Sequence, residues 1–375
     1  VLAEIVKKYL LKKDKIRILV AAGGSGGHIL PALQVVSAIE SSCLISSGRL
    51  KIEFICSSKN IDKKILQDSG YIFHPLQSFG IKGLGLKGIF NLLFSIPKSV
   101  LTILKILRSY KPDFILGFGG YPSVMPVLVA RASGIPAWIH ESDKTAGLAN
   151  KFLSLFVNQI SCSFENVHFP FGKNPIHSGH PIRSGIRPFR LELQTYLPKN
   201  ILVIGGSQAS RALDLAIPKA LGQLANSEKL LSVRHQARAE SIEAVKAEYS
   251  KYNIDAEVSS YFEDMLEAYT FADIIISRAG SGAVSELAVL NKPVVFVPLP
   301  NVSGHQLQNA EWLSKSGKAL IVNEGDNFEI CMEDAIGKLL EHDFYREIVE
   351  KPMVVKRTDS ATFLAQKILS HFLDC

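Results

Sequence analysis

Four glycine-rich runs stand out in the 375-residue chain: Gly23-Gly24-Ser25-Gly26-Gly27, Gly117-Phe118-Gly119-Gly120, Gly205-Gly206-Ser207-Gln208 and Arg278-Ala279-Gly280-Ser281-Gly282. Each follows a short apolar, β-branched stretch and precedes a helical pattern, which places it at a strand-to-helix turn. Glycine there lets bare backbone N–H groups and a helix N-terminus approach a ligand, an arrangement suited to phosphate or to a developing anion. One such loop is equally well a tight turn; four at strand ends in one chain favour binding. His28 closes the first run, and imidazole changes charge near neutral pH, so proton transfer beside a bound anion is the chemistry this neighbourhood suggests. A dinucleotide reductase is the obvious rival. The first run does not follow Gly-x-Gly-x-x-Gly, however, and no acidic residue closes the second strand to hold a ribose.

The elements that must position these loops alternate strand and helix, the pattern of βαβ units and a parallel sheet. Strands are predicted at residues 16–21, 51–56, 114–116 and 137–140, with a helix from about Pro31; the plan then restarts with strands at 200–204, 273–277 and 293–297 and a helix ending near Leu290. Two doubly wound α/β domains of similar size account for this. Pro170, Gly172, Pro175, Gly179, Pro181, Gly185, Pro188 and Pro198 break regular structure between them. The expected division is a first domain over 15–180, a linker over 181–199, a second domain over 200–350 and a terminal helix over 351–375. A cleft with the carboxyl ends of both sheets face to face is the expected place for ligands.

Composition narrows the partners. Hydrophobic residues make up 47% and charged residues 21%, which excludes disordered, collagen-like and coiled-coil chains. The net charge of +7 hides a polarity: residues 1–190 carry 24 bases against 10 acids, and residues 191–375 carry 18 against 25. Five scattered cysteines without zinc-type spacing read as reduced thiols of a cytoplasmic protein. The first 15 residues mix five lysines with two acids and are not expected to act as a secretory signal. No apolar run is long enough to span a bilayer. Residues 69–112 contain no acid and six bases, interleaved with large apolar side chains. An interfacial patch is expected over residues 79–94, with Leu84, Leu86 and Phe90 in the lipid boundary and Lys82 and Lys87 near anionic headgroups; part of residues 97–110 reads instead as a core helix with a solvated basic face.

The four runs, together with Tyr121-Pro122-Ser123, His140-Glu141-Ser142-Asp143, Gly147-Leu148-Ala149-Asn150-Lys151 and Ala283-Val284-Ser285-Glu286, occur in the order and approximate spacing of the MurG family. Over residues 16–310 the chain resembles these UDP-N-acetylglucosamine:undecaprenyl-pyrophosphoryl-N-acetylmuramyl-pentapeptide glycosyltransferases of glycosyltransferase family 28. The resemblance implies a GT-B fold, two Rossmann-like doubly wound domains facing each other across a cleft, and inverting transfer of GlcNAc from UDP-GlcNAc to the MurNAc 4-hydroxyl of lipid I, forming lipid II and UDP in peptidoglycan synthesis. It further implies a peripheral protein at the cytoplasmic face of the bacterial plasma membrane. Its partners would be UDP-GlcNAc, lipid I, the anionic membrane surface and other cell-wall synthesis proteins, with no nucleic acid. Another GT-B glycolipid glycosyltransferase and a non-catalytic nucleotide-sugar-binding scaffold are the alternatives.

For the donor, the resemblance assigns Ser207 and Arg183 to the diphosphate, Glu286 to the ribose hydroxyls, Phe262 to uracil through its main chain, and Gln306 to the sugar. Residues Ser281, Gly282, Ala283, Val284 and Ser285 would line ribose and sugar through backbone groups. His305 stands where one version of the family has the first residue of a Gln-Gln pair. No Asp-x-Asp triplet occurs, so no metal cofactor is expected, and leaving-group charge falls to helix dipoles and arginine. On the acceptor side His28 is the leading candidate for the base, with Glu141 and Asp143 as the others. Asp143 would also contact the donor sugar; some relatives carry Asn there, and an ionised aspartate cannot donate the corresponding hydrogen bond. Ser25, Gly26, Gly27, Tyr121 and Asn150 complete the acceptor and pyrophosphate region.

Overall fold

The computed structural model describes residues 15–24, 26–42, 49–76, 86–189, 197–225, 231–300, 304–355 and 358–373, and of residues 42, 86–95 and 373 only the backbone. The chain divides into two compact units, one formed by Val1–Arg183 with Asp359–Cys375 and the other by Ser184–Thr358.

In the first unit β1 (Ile16–Ala21), β2 (Leu50–Ser57), β3 (Ile72–Leu76), β4 (Phe114–Gly117), β5 (Ala137–Glu141), β6 (Gln159–Cys162) and β7 (Ile176–His177) form one sheet in the order β3-β2-β1-β4-β5-β6-β7. Every pairing is parallel. The strands β4 and β5 are buried along their whole length and β1 at every residue but Arg17, as a sheet covered on both faces requires. Ile18, Val20, Phe54, Phe114 and Trp138 build the core with the helix Gly26–Ser42. The helix Ser360–Leu373 packs on the same face through Leu364, Ala365, Ile368 and Leu369, and Phe372 stacks on Phe114 with centroids 4.4 Å apart.

The second unit repeats the plan. β8 (Asn200–Ile204), β9 (Ser232–Gln236), β10 (Asp255–Ser259), β11 (Ile274–Ser277), β12 (Val294–Phe296) and β13 (Ala319–Ile321) form a parallel sheet in the order β10-β9-β8-β11-β12-β13. Both units therefore have the doubly wound order in which chain direction across the sheet reverses beside the first strand. That switch point lies between β1 and β4 in the first unit and between β8 and β11 in the second. The four glycine runs leave the carboxyl ends of those four strands.

The strand β3 was not read from the sequence; it lies in the acid-free segment 69–112, ahead of the residues 79–94 read as an interfacial patch. The helix Leu86–Tyr110 follows, burying Ile103, Ile106, Leu107 and Tyr110 while Lys98, Lys105 and Arg108 face solvent.

Candidate active site

At the first switch point the helix Gly26–Ser42 begins inside the glycine run, five residues before Pro31. Proline is well placed at a first helical position, which made it the expected start; here it sits in the second turn. Gly26, Gly27 and His28 consequently form the opening turn, whose N–H groups have no intrahelical acceptor. Ser25 lies outside the described residues. Beneath the loop, Asp62 Oδ2 accepts the Gly24 N–H at 2.7 Å and the Ser57 hydroxyl, and Lys59 Nζ donates to the Gly24 carbonyl at 3.0 Å. The fully buried Asp62 thus fixes the loop from below. Sequence reasoning missed it, since Asp62 lies 38 residues from Gly24, in the first turn of a separate helix, Asn60–Asp68.

The His28 ring lies against the second run. A Cβ on Gly119 (φ +85°) would come 3.3 Å from His28 Nδ1 and 3.3 Å from Asn150 Nδ2, and one on Gly120 (φ +73°) would meet the Gly23 carbonyl at 2.7 Å. Glycine is required at both positions by conformation and by space. His28 Nδ1 and Asn150 Oδ1 are sealed from solvent without a hydrogen-bond partner among the described residues. Burial lowers the His28 pKa from its ordinary 6.5, against the opposing pull of Asp143, the Phe118 carbonyl and Asp62. Tyr121 opens the next helix, Tyr121–Ala132.

Glu141 is 3% exposed and fully engaged by its own loop. Oε1 accepts the Asp143 N–H at 2.9 Å; Oε2 accepts the Gly147 N–H at 3.0 Å and Asn150 Nδ2 at 2.9 Å. Burial, followed by the Asp143 charge, pushes its pKa up to about 7 despite these donors. The carboxylate organises the loop that carries Asp143 and Asn150, a geometry at odds with its expected use as a free base.

A buried polar chain continues behind it. Trp138 Nε1 donates to Ser161 Oγ at 2.9 Å, His140 bridges Ser161 Oγ and Ser163 Oγ at 3.0 Å each, and Ser163 Oγ meets His180 Nδ1 at 2.9 Å. Indole only donates, and a chain running from Trp138 through each hydroxyl to His180 satisfies every group with both imidazoles neutral. Burial accordingly lowers the His140 pKa well below 6.5 and that of His180 to about 4.

At the second switch point, Ser207 is exposed in a turn, three residues ahead of Ser210, whose hydroxyl caps the helix Arg211–Leu224. The expected helix start at Ser207 is therefore displaced, because Gly206 (φ +82°) and Ala209 (φ +52°) extend the turn. The helix Ser281–Leu290 is capped by Gly280, and the Val284 N–H is already bonded to the Gly280 carbonyl at 2.9 Å. Ser281, Gly282 and Ala283 retain first-turn N–H groups, while Val284 and Ser285 are buried in the helix. Glu286 is 6% exposed, and its Oε2 accepts the Tyr269 hydroxyl at 2.8 Å. Gln306 Oε1 accepts N–H groups from Ala279 (3.2 Å) and Leu299 (2.9 Å); with two donors on the oxygen, the amide –NH2 must face away from both. The Phe262 side chain is buried.

Arg278, quoted only as part of a motif, is a buried tie. It donates to Ser210 Oγ at 2.6 Å and to the Val297 carbonyl at 3.1 Å, and pairs with Glu324 at 2.5 Å. Arg183 is half-buried at the end of the first unit. Lys82 and Leu84 lie outside the described residues, as do the side chains of Leu86, Lys87 and Phe90. Among the described residues no group of three or more His, Cys, Asp and Glu side chains is placed to hold a metal ion, and no helix is long and apolar enough to cross a membrane.

Residues 18–162 match the glycosyltransferase family 28 N-terminal domain, and residues 200–351 match the glycosyltransferase family 28 C-terminal domain. A UDP-N-acetylglucosamine--N-acetylmuramyl-(pentapeptide) pyrophosphoryl-undecaprenol N-acetylglucosamine transferase from Trichlorobacter lovleyi is 30% identical over 385 aligned residues, covering 96% of this chain and 99% of the relative. The protein of the same description from Syntrophus aciditrophicus is 33% identical over 330, covering 87% and 90%. The crystal structure of Acinetobacter baumannii MurG superposes with a TM-score of 0.73 at 28% identity, covering 96% of this chain and all of the other. A UDP-glucosyltransferase from Polygonum tinctorium, at 12% identity and a TM-score of 0.69 over 96% and 99%, shares the fold alone. With two Rossmann-like domains of the GT-B class and relatives that match it nearly end to end, the chain belongs to glycosyltransferase family 28.

Proposed function

We propose that the protein transfers GlcNAc from UDP-GlcNAc, with inversion, to the MurNAc 4-hydroxyl of undecaprenyl-pyrophosphoryl-MurNAc-pentapeptide, forming lipid II and UDP. The observation that carries this reading is the match, over almost the full length of both chains, to relatives described by that one activity.

In the first unit, the opening-turn N–H groups of Gly26 and Gly27, with Ser25, receive the acceptor pyrophosphate, and Asn150 and Tyr121 orient the acceptor sugar. His28 takes the proton from the 4-hydroxyl as that oxygen attacks the anomeric carbon. The bond from that carbon to the diphosphate breaks, and its electron pair leaves with UDP. His28 suits the task because burial favours its neutral form and its Nδ1 has no hydrogen-bond partner among the described residues. Glu141 acts through Asn150 and Asp143 by holding their loop, and Asp143 accepts from the donor sugar.

In the second unit, Glu286 receives the ribose hydroxyls, the Phe262 main chain receives uracil and the Gln306 amide –NH2 donates to the sugar. The N–H groups of Ser281, Gly282 and Ala283, with Ser207, stabilise the departing diphosphate, a role also assigned to Arg183 of the first unit, so the scheme requires no metal cofactor. Peripheral attachment to the cytoplasmic face of an anionic membrane is supported by the basic first unit and by an exposed apolar group, Leu148, Phe152, Leu155 and Phe156, beside Lys151.

Release of UDP from UDP-GlcNAc in the presence of a lipid I analogue tests the reading. Release with diacylglycerol in place of that analogue would favour another glycolipid glycosyltransferase. UDP-GlcNAc binding without release on either acceptor would favour a scaffold.

A further inference from the structure

Inside the second unit one buried hydrogen bond joins the helix Ser281–Leu290 to a residue that no sequence motif selects. The Tyr269 hydroxyl donates to Glu286 Oε2 at 2.8 Å, with the two residues 3% and 6% exposed. A glutamate side chain has three rotatable bonds, and recognition of a vicinal diol needs the plane of its carboxylate fixed. A phenol donating to one oxygen restrains that plane.

Tyr269 is itself held firmly. Its helix, Met265–Phe271, is capped at the start by Asp264, whose Oδ1 accepts the N–H groups of Leu266 and Glu267 at 2.8 and 3.0 Å. At the other end Lys292 Nζ donates to the carbonyls of Tyr269 (2.8 Å), Thr270 (3.2 Å) and Ala272. Lys292 follows the helix Ser281–Leu290 by one left-handed residue, Asn291 (φ +60°), and its ammonium lies 3.8 Å from the Phe189 ring centre. The helix bearing Glu286 and the helix bearing Tyr269 are thus tied twice, once through the carboxylate and once through the lysine.

We infer that Tyr269 is a positioning residue for nucleotide recognition, fixing the Glu286 carboxylate so that the donor's ribose diol is distinguished from a deoxyribose. The inference rests on the reading of Glu286 as the ribose acceptor. Its test compares the affinities of UDP and 2′-deoxy-UDP by calorimetry. The wild-type protein should prefer UDP by about tenfold, the worth of a hydrogen bond to a charged group. Glu286→Ala should abolish that preference, and a preference unchanged by Glu286→Ala overturns the ribose reading itself. Tyr269→Phe keeps the ring and removes only the hydroxyl. It should cut the preference by about threefold or more and raise KM for UDP-GlcNAc, with kcat held within about twofold. If Glu286→Ala abolishes the preference while Tyr269→Phe retains the wild-type ratio, the positioning role is wrong and the ribose reading stands. Should Tyr269→Phe fail to fold, Tyr269→Ile is read by the same ratio, to which a purely structural tyrosine makes no difference.

Discussion

The imidazole of His28 rests on Gly119, where the smallest added side chain would stand 3.3 Å from its Nδ1. The first and second glycine runs therefore form one surface in which the backbone of one loop sets the pose of the histidine from the other. Gly119→Ala should lower kcat at least about tenfold by displacing that ring. It should also cost about 1 kcal/mol of stability through its left-handed backbone. Gly134→Ala separates the two effects, because Gly134 has φ +81° with nothing within 4 Å of the added methyl. It should lose similar stability and keep kcat. Equal kcat in both variants would contradict the arrangement.

The acidity of His28 sets a pH profile. Burial lowers its pKa from 6.5, so the imidazole is in the neutral, proton-accepting form at pH 7 and is lost as a base only as pH falls below 6.5. The acidic limb of kcat/KM assigned to it should have its midpoint below that value. Glu141, pushed up to about 7, also changes charge in this range, and the comparison with His28→Ala separates them. That variant should lose the lower limb and about a hundredfold or more in kcat. Survival of the lower limb in His28→Ala would move the base elsewhere.

His180 ends the buried chain from Trp138, and its pKa in the folded protein is about 4 against 6.5 for an ordinary histidine. The folded state resists a proton that the unfolded chain accepts, so the corresponding stability is intact above pH 6.5 and declines as pH falls toward 4. Between pH 7.5 and 5 this amounts to about 2 kcal/mol. Glu141 has the opposite sign, since its raised pKa makes the folded state hold a proton more tightly as pH falls from 7. Denaturant unfolding of wild type and His180→Gln at the two pH values cancels that contribution in the difference. A difference independent of pH would show that His180 is not buried as a neutral group.

Membrane attachment can be read from the exposed apolar group after β5. Replacing Leu148, Phe152 and Phe156 with serine should reduce sedimentation with anionic vesicles by more than about tenfold, since each side chain buried in lipid contributes about 1.5 to 3 kcal/mol. UDP affinity should be unchanged. Full vesicle binding by the triple variant would move the contact to another surface.

Seven of the thirteen strands of the described residues and the four loops were legible in the sequence because apolar runs ending in glycine are local signals; β3, β6, β7, β9, β10 and β13 were not read. Asn200–Ile204 was read to the residue, and Ile16–Ala21 likewise. The first helix was placed five residues late because Pro31 carries a local start signal, whereas the true start at Gly26 depends on how the switch-point loop is built. Partnerships across long stretches of chain were not legible. Asp62 reaches back 38 residues to Gly24, Arg278 spans 68 to Ser210, and Tyr269 meets Glu286 across the sheet connection between two helices. Glu141 was singled out by its motif as a candidate base, and only the fold reveals that three N–H groups of its own loop occupy it.

The most direct test of the central claim is the structure of the product formed from UDP-GlcNAc and a lipid I analogue, determined by mass and by NMR of the new linkage. One GlcNAc joined through a β-linkage to the MurNAc 4-oxygen, formed in step with an equal amount of UDP, is the expected product. An α-linkage, attachment at another hydroxyl, or the absence of any disaccharide would contradict it.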